Sequence, residues 1–121
     1  MLPKPQRLNL KKDFKWVVSG KKLETKYLKL FVRYGENTTA KIGIALSSKS
    51  FKKAVDRNRA RRLTSTAFQT LYSKLPTNVS IVVLPKAGVL SVKSDDLVLD
   101  LEGILEKESV IARNAMTKQS N

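Results

Sequence analysis

The stretch Ala54-Val55-Asp56-Arg57-Asn58-Arg59-Ala60-Arg61-Arg62-Leu63 decides how the rest of the chain is read. Within it, four guanidinium groups and one carboxamide fall in less than two helical turns. Ala60, Leu63, Ala67, Leu71 and Leu75 recur at helical spacing, which predicts a helix from about Lys52 to about Leu75 with Pro76 preventing its continuation. On another side of that helix Lys53, Arg57 and Arg61 repeat every four residues, flanked by Asn58 and Arg62. Such a side is wet and cationic. Asp56 is positioned to bridge to nearby arginines; it is too isolated to be a metal ligand.

Working outward, the charge is lopsided. Residues 1–62 hold 18 Lys and Arg against 4 Asp and Glu, whereas residues 63–121 hold 6 of each, so the whole net charge of +14 lies in the first half. A field of this kind repels itself when the chain compacts, and a polyanion that releases condensed counterions is its natural partner. Nucleic acid is the first candidate. The absence of Cys and His removes disulfides, thiolate chemistry, Cys/His zinc sites and imidazole catalysis together. No apolar run reaches the length of a membrane span, and Met1-Leu2-Pro3-Lys4-Pro5 lacks the hydrophobic stretch of a secretory signal, so a soluble, cytoplasmic protein is expected.

At 121 residues and 41% hydrophobic content, one domain is expected over residues 1–108, with residues 109–121 a flexible tail. Before the long helix, Lys11 to Ser19 reads as a short helix with Phe14, Val17 and Val18 on one face and Gly20 as its stop. From Lys26 to Tyr34 the period becomes two: Leu28, Leu30, Val32 and Tyr34 point to the core, while Tyr27, Lys29, Phe31 and Arg33 point the other way. The second set interleaves rings with cations, as a surface that stacks unpaired bases would. A helix can equally cover such aromatics, and on alternation alone Tyr27 and Phe31 stand open to either role. Ala40 to Leu46 predicts another strand, whose small outer residues Gly43 and Ala45 would leave the sheet face open. Val79 to Leu84 predicts an interior strand closed by Pro85. Ser94-Asp95-Asp96 offers an N-cap and early acids to a last helix through about Glu108, with Leu97, Leu101, Ile104 and Leu105 inward. Six of the ten acids lie between Asp95 and Glu108, so this helix is expected away from the anion-binding surface.

The order helix, strand, strand, helix, strand, helix, with Arg57-Asn58-Arg59 leading into Ala60-Arg61-Arg62-Leu63, resembles the protein component of bacterial ribonuclease P. Arg7-Leu8 with Asp13-Phe14 resembles that family's amino-terminal signature, and Ile42-Gly43-Ile44 its second strand. The resemblance implies an α/β fold, an α+β two-layer sandwich with a left-handed crossover through the long helix. It implies that this is a subunit of an endoribonuclease whose catalytic centre and Mg2+ ions belong to an RNA partner that removes the 5′ leader of precursor tRNA. No catalytic or metal-binding side chain is expected in this chain, nor any role with DNA. Contact with the catalytic RNA then falls to Lys53, Arg57, Asn58, Arg59, Arg61 and Arg62. Contact with the leader falls to Phe14 and Phe31, joined from strand alternation by Tyr27, Lys29 and Arg33. The chain departs from the family's pattern at Ser65, Thr66 and Gln69, where charged residues are usual, so the basic stripe stops halfway. Val18 replaces a frequent second aromatic, and Pro85 a common basic residue.

Composition alone also suits a ribosomal or ribosome-assembly RNA-binding protein, which would leave precursor tRNA cleavage unaffected. A protein-only nuclease would need convergent carboxylates for two metals beside the basic surface, and the sequence offers none. A membrane-surface role lacks an adjacent exposed apolar stripe.

Overall fold

The computed structural model describes residues 2–111. Three α-helices and four strands follow in the order α1 (Leu10–Val18), β1 (Lys21–Glu24), β2 (Leu28–Tyr34), β3 (Lys41–Ile44), α2 (Ala54–Leu71), β4 (Val79–Pro85) and α3 (Ser94–Lys107). The sheet order is β1-β2-β4-β3. β1 and β2 form an antiparallel hairpin, β4 runs antiparallel to β2, and β3 pairs parallel to β4 with α2 as the crossover. The interior placement of β4 accounts for its unbroken apolar run, because Val79, Ile81, Val82 and Val83 are all fully buried.

Alternation along β2 divides the apolar residues between two faces. Leu28, Leu30 and Val32 join Ile42, Ile81 and Val83 in the main core, which α2 closes with Ala60, Ala67, Phe68 and Leu71 and α3 with Leu97, Leu101 and Leu105. The other face carries a smaller cluster in which Val17 and Leu8 meet Val82, with Phe14, Val18, Phe31 and Leu84 partly buried around them. Helix α1 is therefore a partial extra layer opposite α2 and α3. Ahead of α1, Leu8 N–H donates to the Ile42 carbonyl at 3.0 Å, so the amino-terminal segment covers the edge of β3.

Several expectations are corrected. β1 was not foreseen, since Leu23 is its single buried residue. Tyr34 ends its strand 48% exposed rather than in the core. The outer face at Gly43 is closed: a Cβ there would come within 2.6 Å of Leu10 and 3.3 Å of Leu8. The long helix ends its regular part at Leu71 and tightens into a 3-10 turn over Tyr72–Lys74. The cap of α3 is Lys93, whose backbone N–H donates to the Asp96 carboxylate at 3.4 Å, and Ser94 is already inside the helix. Val110 and Ile111 are buried in the main core, so the domain runs past the expected boundary at 108. The rest of the expected tail, 112–121, lies outside the described residues.

Candidate nucleic-acid interface

Helix α2 separates its two jobs by angle. Ala60, Thr64, Ala67, Phe68 and Leu71 face the core, which turns Lys53, Asn58, Arg59 and Arg62 outward, with Arg57 and Arg61 half-buried at the flank. Arg57 is partly used by the fold: its guanidinium donates to the backbone carbonyls of Phe51 at 2.8 Å and Lys52 at 3.3 Å, anchoring the chain that enters the helix. Arg61 donates to Asn58 Oδ1 at 3.3 Å, holding two members of the motif in register one turn apart. Arg59 and Arg62, with Leu63, Thr66 and Ser94, border a depression of about 310 Å³ between α2 and the start of α3.

The acids are spent elsewhere. Among the described residues the ion pairs are Lys21–Glu108 at 2.7 Å, Lys74–Glu102 at 2.6 Å, Lys86–Glu24 at 2.6 Å and Lys22–Glu24 at 3.9 Å. None touches the arginine cluster. Asp56 forms no ion pair with it either, contrary to expectation; it sits in the first turn of α2, where the helix dipole favours an acid. The acid-rich α3 does pack along α2, closer than expected, but its Glu102 is held by Lys74 at the far end of that helix. Hydrogen bonding and the charge of Lys74 thus hold α3 to α2 without neutralising Arg59 or Arg62.

The second predicted surface is divided. In register across the sheet, Phe31 lies between Lys22 and Val82, and Lys29 between Glu24 and Leu84. Phe14 from α1 joins Phe31, so both rings are half-buried at the junction of helix and sheet. Beyond them the row of Glu24, Lys29 and Leu84 opens into a groove of about 240 Å³ bounded also by Ser47, Ser50 and Lys86. Phe14, Lys29 and Phe31 are thus brought together.

Two other members are not. Tyr27 packs against the main core, and Lys26 caps its ring at 5.5 Å from the centroid. The cause is local: Thr25 Oγ1 accepts from the N–H groups of Tyr27 (3.2 Å) and Leu28 (3.0 Å), a turn that breaks the alternation before β2 begins. Arg33 lies over the Trp16 ring at 4.8 Å and donates to the Trp16 carbonyl at 3.1 Å and to Ser19 Oγ. Its guanidinium latches the end of α1. Trp16 in turn requires Gly35, where a Cβ would come within 2.7 Å of the indole. Lys86, which sequence reasoning did not single out, reaches both Glu24 and the Thr25 carbonyl at the groove's end; only its pairing across the fold reveals it.

Fold and surface together define a class: a small α/β domain with unneutralised positive charge gathered on one helix and, on the opposite face of its sheet, a half-buried pair of rings next to a groove lined by Lys29, Lys86 and Glu24. The Ribonuclease P family model matches residues 2–109, and the chain belongs to the ribonuclease P protein family. It is 36% identical over 94% of its length to the whole of the ribonuclease P protein component of Pseudanabaena sp., and 39% identical over 71% of its length to 74% of that of Legionella pneumophila strain Lens. The ribonuclease P protein of Thermotoga maritima superposes with a TM-score of 0.74 at 25% identity, covering 84% of this chain and 96% of that one. That of Staphylococcus aureus superposes at 0.75 over 88% and 97%, with 20% identity, a likeness of fold alone. Among the described residues no helix is long and apolar enough to cross a membrane.

Proposed function

We propose that this chain is the subunit of a ribonuclease P holoenzyme that binds the catalytic RNA through α2 and the 5′ leader of precursor tRNA through the groove beside α1, in the cytoplasm. The observation that carries this reading is the charge segregation: every ion pair among the described residues lies off the arginine cluster, so binding a polyanion there displaces counterions rather than breaking native contacts. Lys53, Arg59 and Arg62 meet phosphates directly. Arg57 and Arg61 do so with the N–H groups their internal bonds leave over, and Asn58 offers its amide.

Beside the groove, Phe14 and Phe31 present ring edges to leader bases, and Lys29 within it holds a phosphate. Tyr27 and Arg33 act indirectly, by setting the sheet edge and the seat of α1. In this reading Mg2+ acts with the RNA partner. The protein then contributes binding and positioning. The test is single-turnover cleavage of a precursor tRNA by the cognate catalytic RNA at low Mg2+, with and without the protein. Faster cleavage or tighter precursor binding supports the reading. No effect from folded protein refutes it in favour of an RNA-binding role such as ribosome assembly.

A further inference from the structure

Between the edge strand β3, the segment leading into α1 and the middle of α2 lies a half-open pocket of about 170 Å³. Ile42, Ile44 and Leu10 supply apolar walls, Arg7 and Arg61 stand in its lining, and Ser65 forms part of the α2 side. No acid lines it.

Ser65 is the informative residue. It is 2% exposed, yet its hydroxyl makes no hydrogen bond with any described residue. Its neighbours behave differently: Thr64 and Thr70 return their hydroxyls to the carbonyls one turn earlier, at 2.8 and 3.0 Å. The Ser65 oxygen is not sealed from solvent, so the hydroxyl opens onto the pocket and is free to bond a polar group that enters it. The two arginines keep donors to spare, since Arg7 gives its Nε–H to the Leu2 carbonyl at 2.7 Å and retains its terminal amino groups, and Arg61 spends one N–H on Asn58.

The required ligand has a flat apolar body, a hydrogen-bonding edge and anionic groups to either side. Inorganic phosphate would waste the apolar walls, and an aliphatic side chain would leave Ser65 unpaired. We propose that this pocket receives one unstacked nucleobase of the partner RNA, its edge bonded to Ser65 Oγ and its flanking phosphates paired with Arg7 and Arg61. Unpaired RNA bases are splayed out and read in this manner, apolar surface on the face and hydrogen bonds on the edge. The site lies at the β3 edge, and its lining shares no residue with the groove of Glu24, Lys29 and Lys86. It rests on the reading of the chain as RNA-binding, and deepens it by naming a base-specific contact.

The experiment titrates methyl-labelled protein with two single-stranded RNA pentamers of equal phosphate number, one all adenylate and one with an abasic central residue. The adenylate pentamer is expected to bind about fivefold more tightly, the scale of one net hydrogen bond, and to shift the Ile42 and Ile44 methyl resonances. Ser65→Leu, which fills the pocket and deletes the hydroxyl, should erase that difference while keeping abasic binding. Equal affinities with unmoved methyls in the wild-type protein would overturn the proposal, and that comparison does not depend on the variant folding. So would saturation of the same methyls by an acidic, leucine-containing pentapeptide and not by RNA. Precursor cleavage is read separately: stimulation without the base-dependent difference keeps the holoenzyme role and removes the pocket, and the reverse pattern removes the role and keeps the pocket.

Discussion

Arg57 reaches back across the start of α2 to donate to the Phe51 carbonyl at 2.8 Å, so one of the cluster's most central cations is also a structural brace. Phe51 is itself 1% exposed, and the brace fixes the loop that carries this ring into the core. Arg62, exposed and free of any ion pair among the described residues, has no such duty. Arg57→Ala is therefore expected to lower stability by about 1 kcal/mol, as for a partly exposed charged hydrogen bond, whereas Arg62→Ala should stay within about 0.5 kcal/mol of wild type. Both should lower the salt slope of catalytic-RNA binding by roughly one unit. Denaturant melts and filter binding across a salt series separate the two effects; a stability loss in Arg62→Ala, or none in Arg57→Ala, would contradict this division.

Phe31 and Lys29 occupy adjacent outward rows of β2, and only the first is packed. Phe31→Ala removes contacts with the Leu8, Val17 and Val82 cluster and should destabilise the fold by about 1–2 kcal/mol, less than a fully buried ring would cost. Lys29→Ala should leave stability nearly unchanged and weaken leader-bearing precursor about threefold with little effect on mature tRNA, as loss of one phosphate contact. Equal losses for precursor and mature tRNA with Lys29→Ala would remove the groove from leader binding.

How much of this was legible in the sequence depended on whether the cause was local. The 3.6-residue period along α2 arises from burial on one side and the unbroken apolar run of β4 from burial on both; both elements formed, with α2 ending its regular part at Leu71. Alternation failed at Tyr27 because the Thr25 hydroxyl gathers two backbone N–H groups and turns the chain before the strand starts. It failed differently at Arg33, whose direction is right but whose guanidinium is claimed by the end of α1, fourteen and more residues away in sequence. The open face anticipated at Gly43 was closed by Leu8 and Leu10, a long-range contact that no period reports. Ser65 reads as a gap in a basic stripe, but its burial beside β3 becomes apparent only when the sheet edge is in place.

The end of α3 holds two residues in exchanged roles. Gly103 is an exposed mid-helix glycine with open space where a Cβ would stand, and Ser109 adopts a φ of 61°, the left-handed cap position that favours glycine. The cap is otherwise complete: Val110 N–H donates to the Leu105 carbonyl at 2.8 Å and Ser109 N–H to that of Glu106 at 3.1 Å. Gly103→Ala should stabilise by about 0.5–1 kcal/mol through helix propensity, and Ser109→Gly by up to about 1 kcal/mol through relief of the left-handed strain. Thermal melts of the single and double variants check both, with near-additive gains expected because the sites lie on separate turns.

Glu24 is the single acid in the groove beside Lys29, and the hydrogen bond and charge of Lys86 hold its carboxyl below the ordinary carboxylate range. A folded-state value lowered in this way means that the pair's stabilisation is present above the unfolded value of 4.5 and is lost as pH falls through the folded one. Glu24→Gln should flatten this part of the acid-unfolding profile. At neutral pH the same change removes a negative charge from the row proposed to meet the leader and frees Lys86 to pair with a phosphate. Precursor affinity should therefore rise, about two- to threefold near physiological salt, with mature tRNA unaffected and the gain shrinking as the Debye length shortens. Weaker precursor binding by Glu24→Gln would show instead that the Lys86–Glu24 pair positions the groove, and that holding Lys86 in place matters more than the charge it gives up.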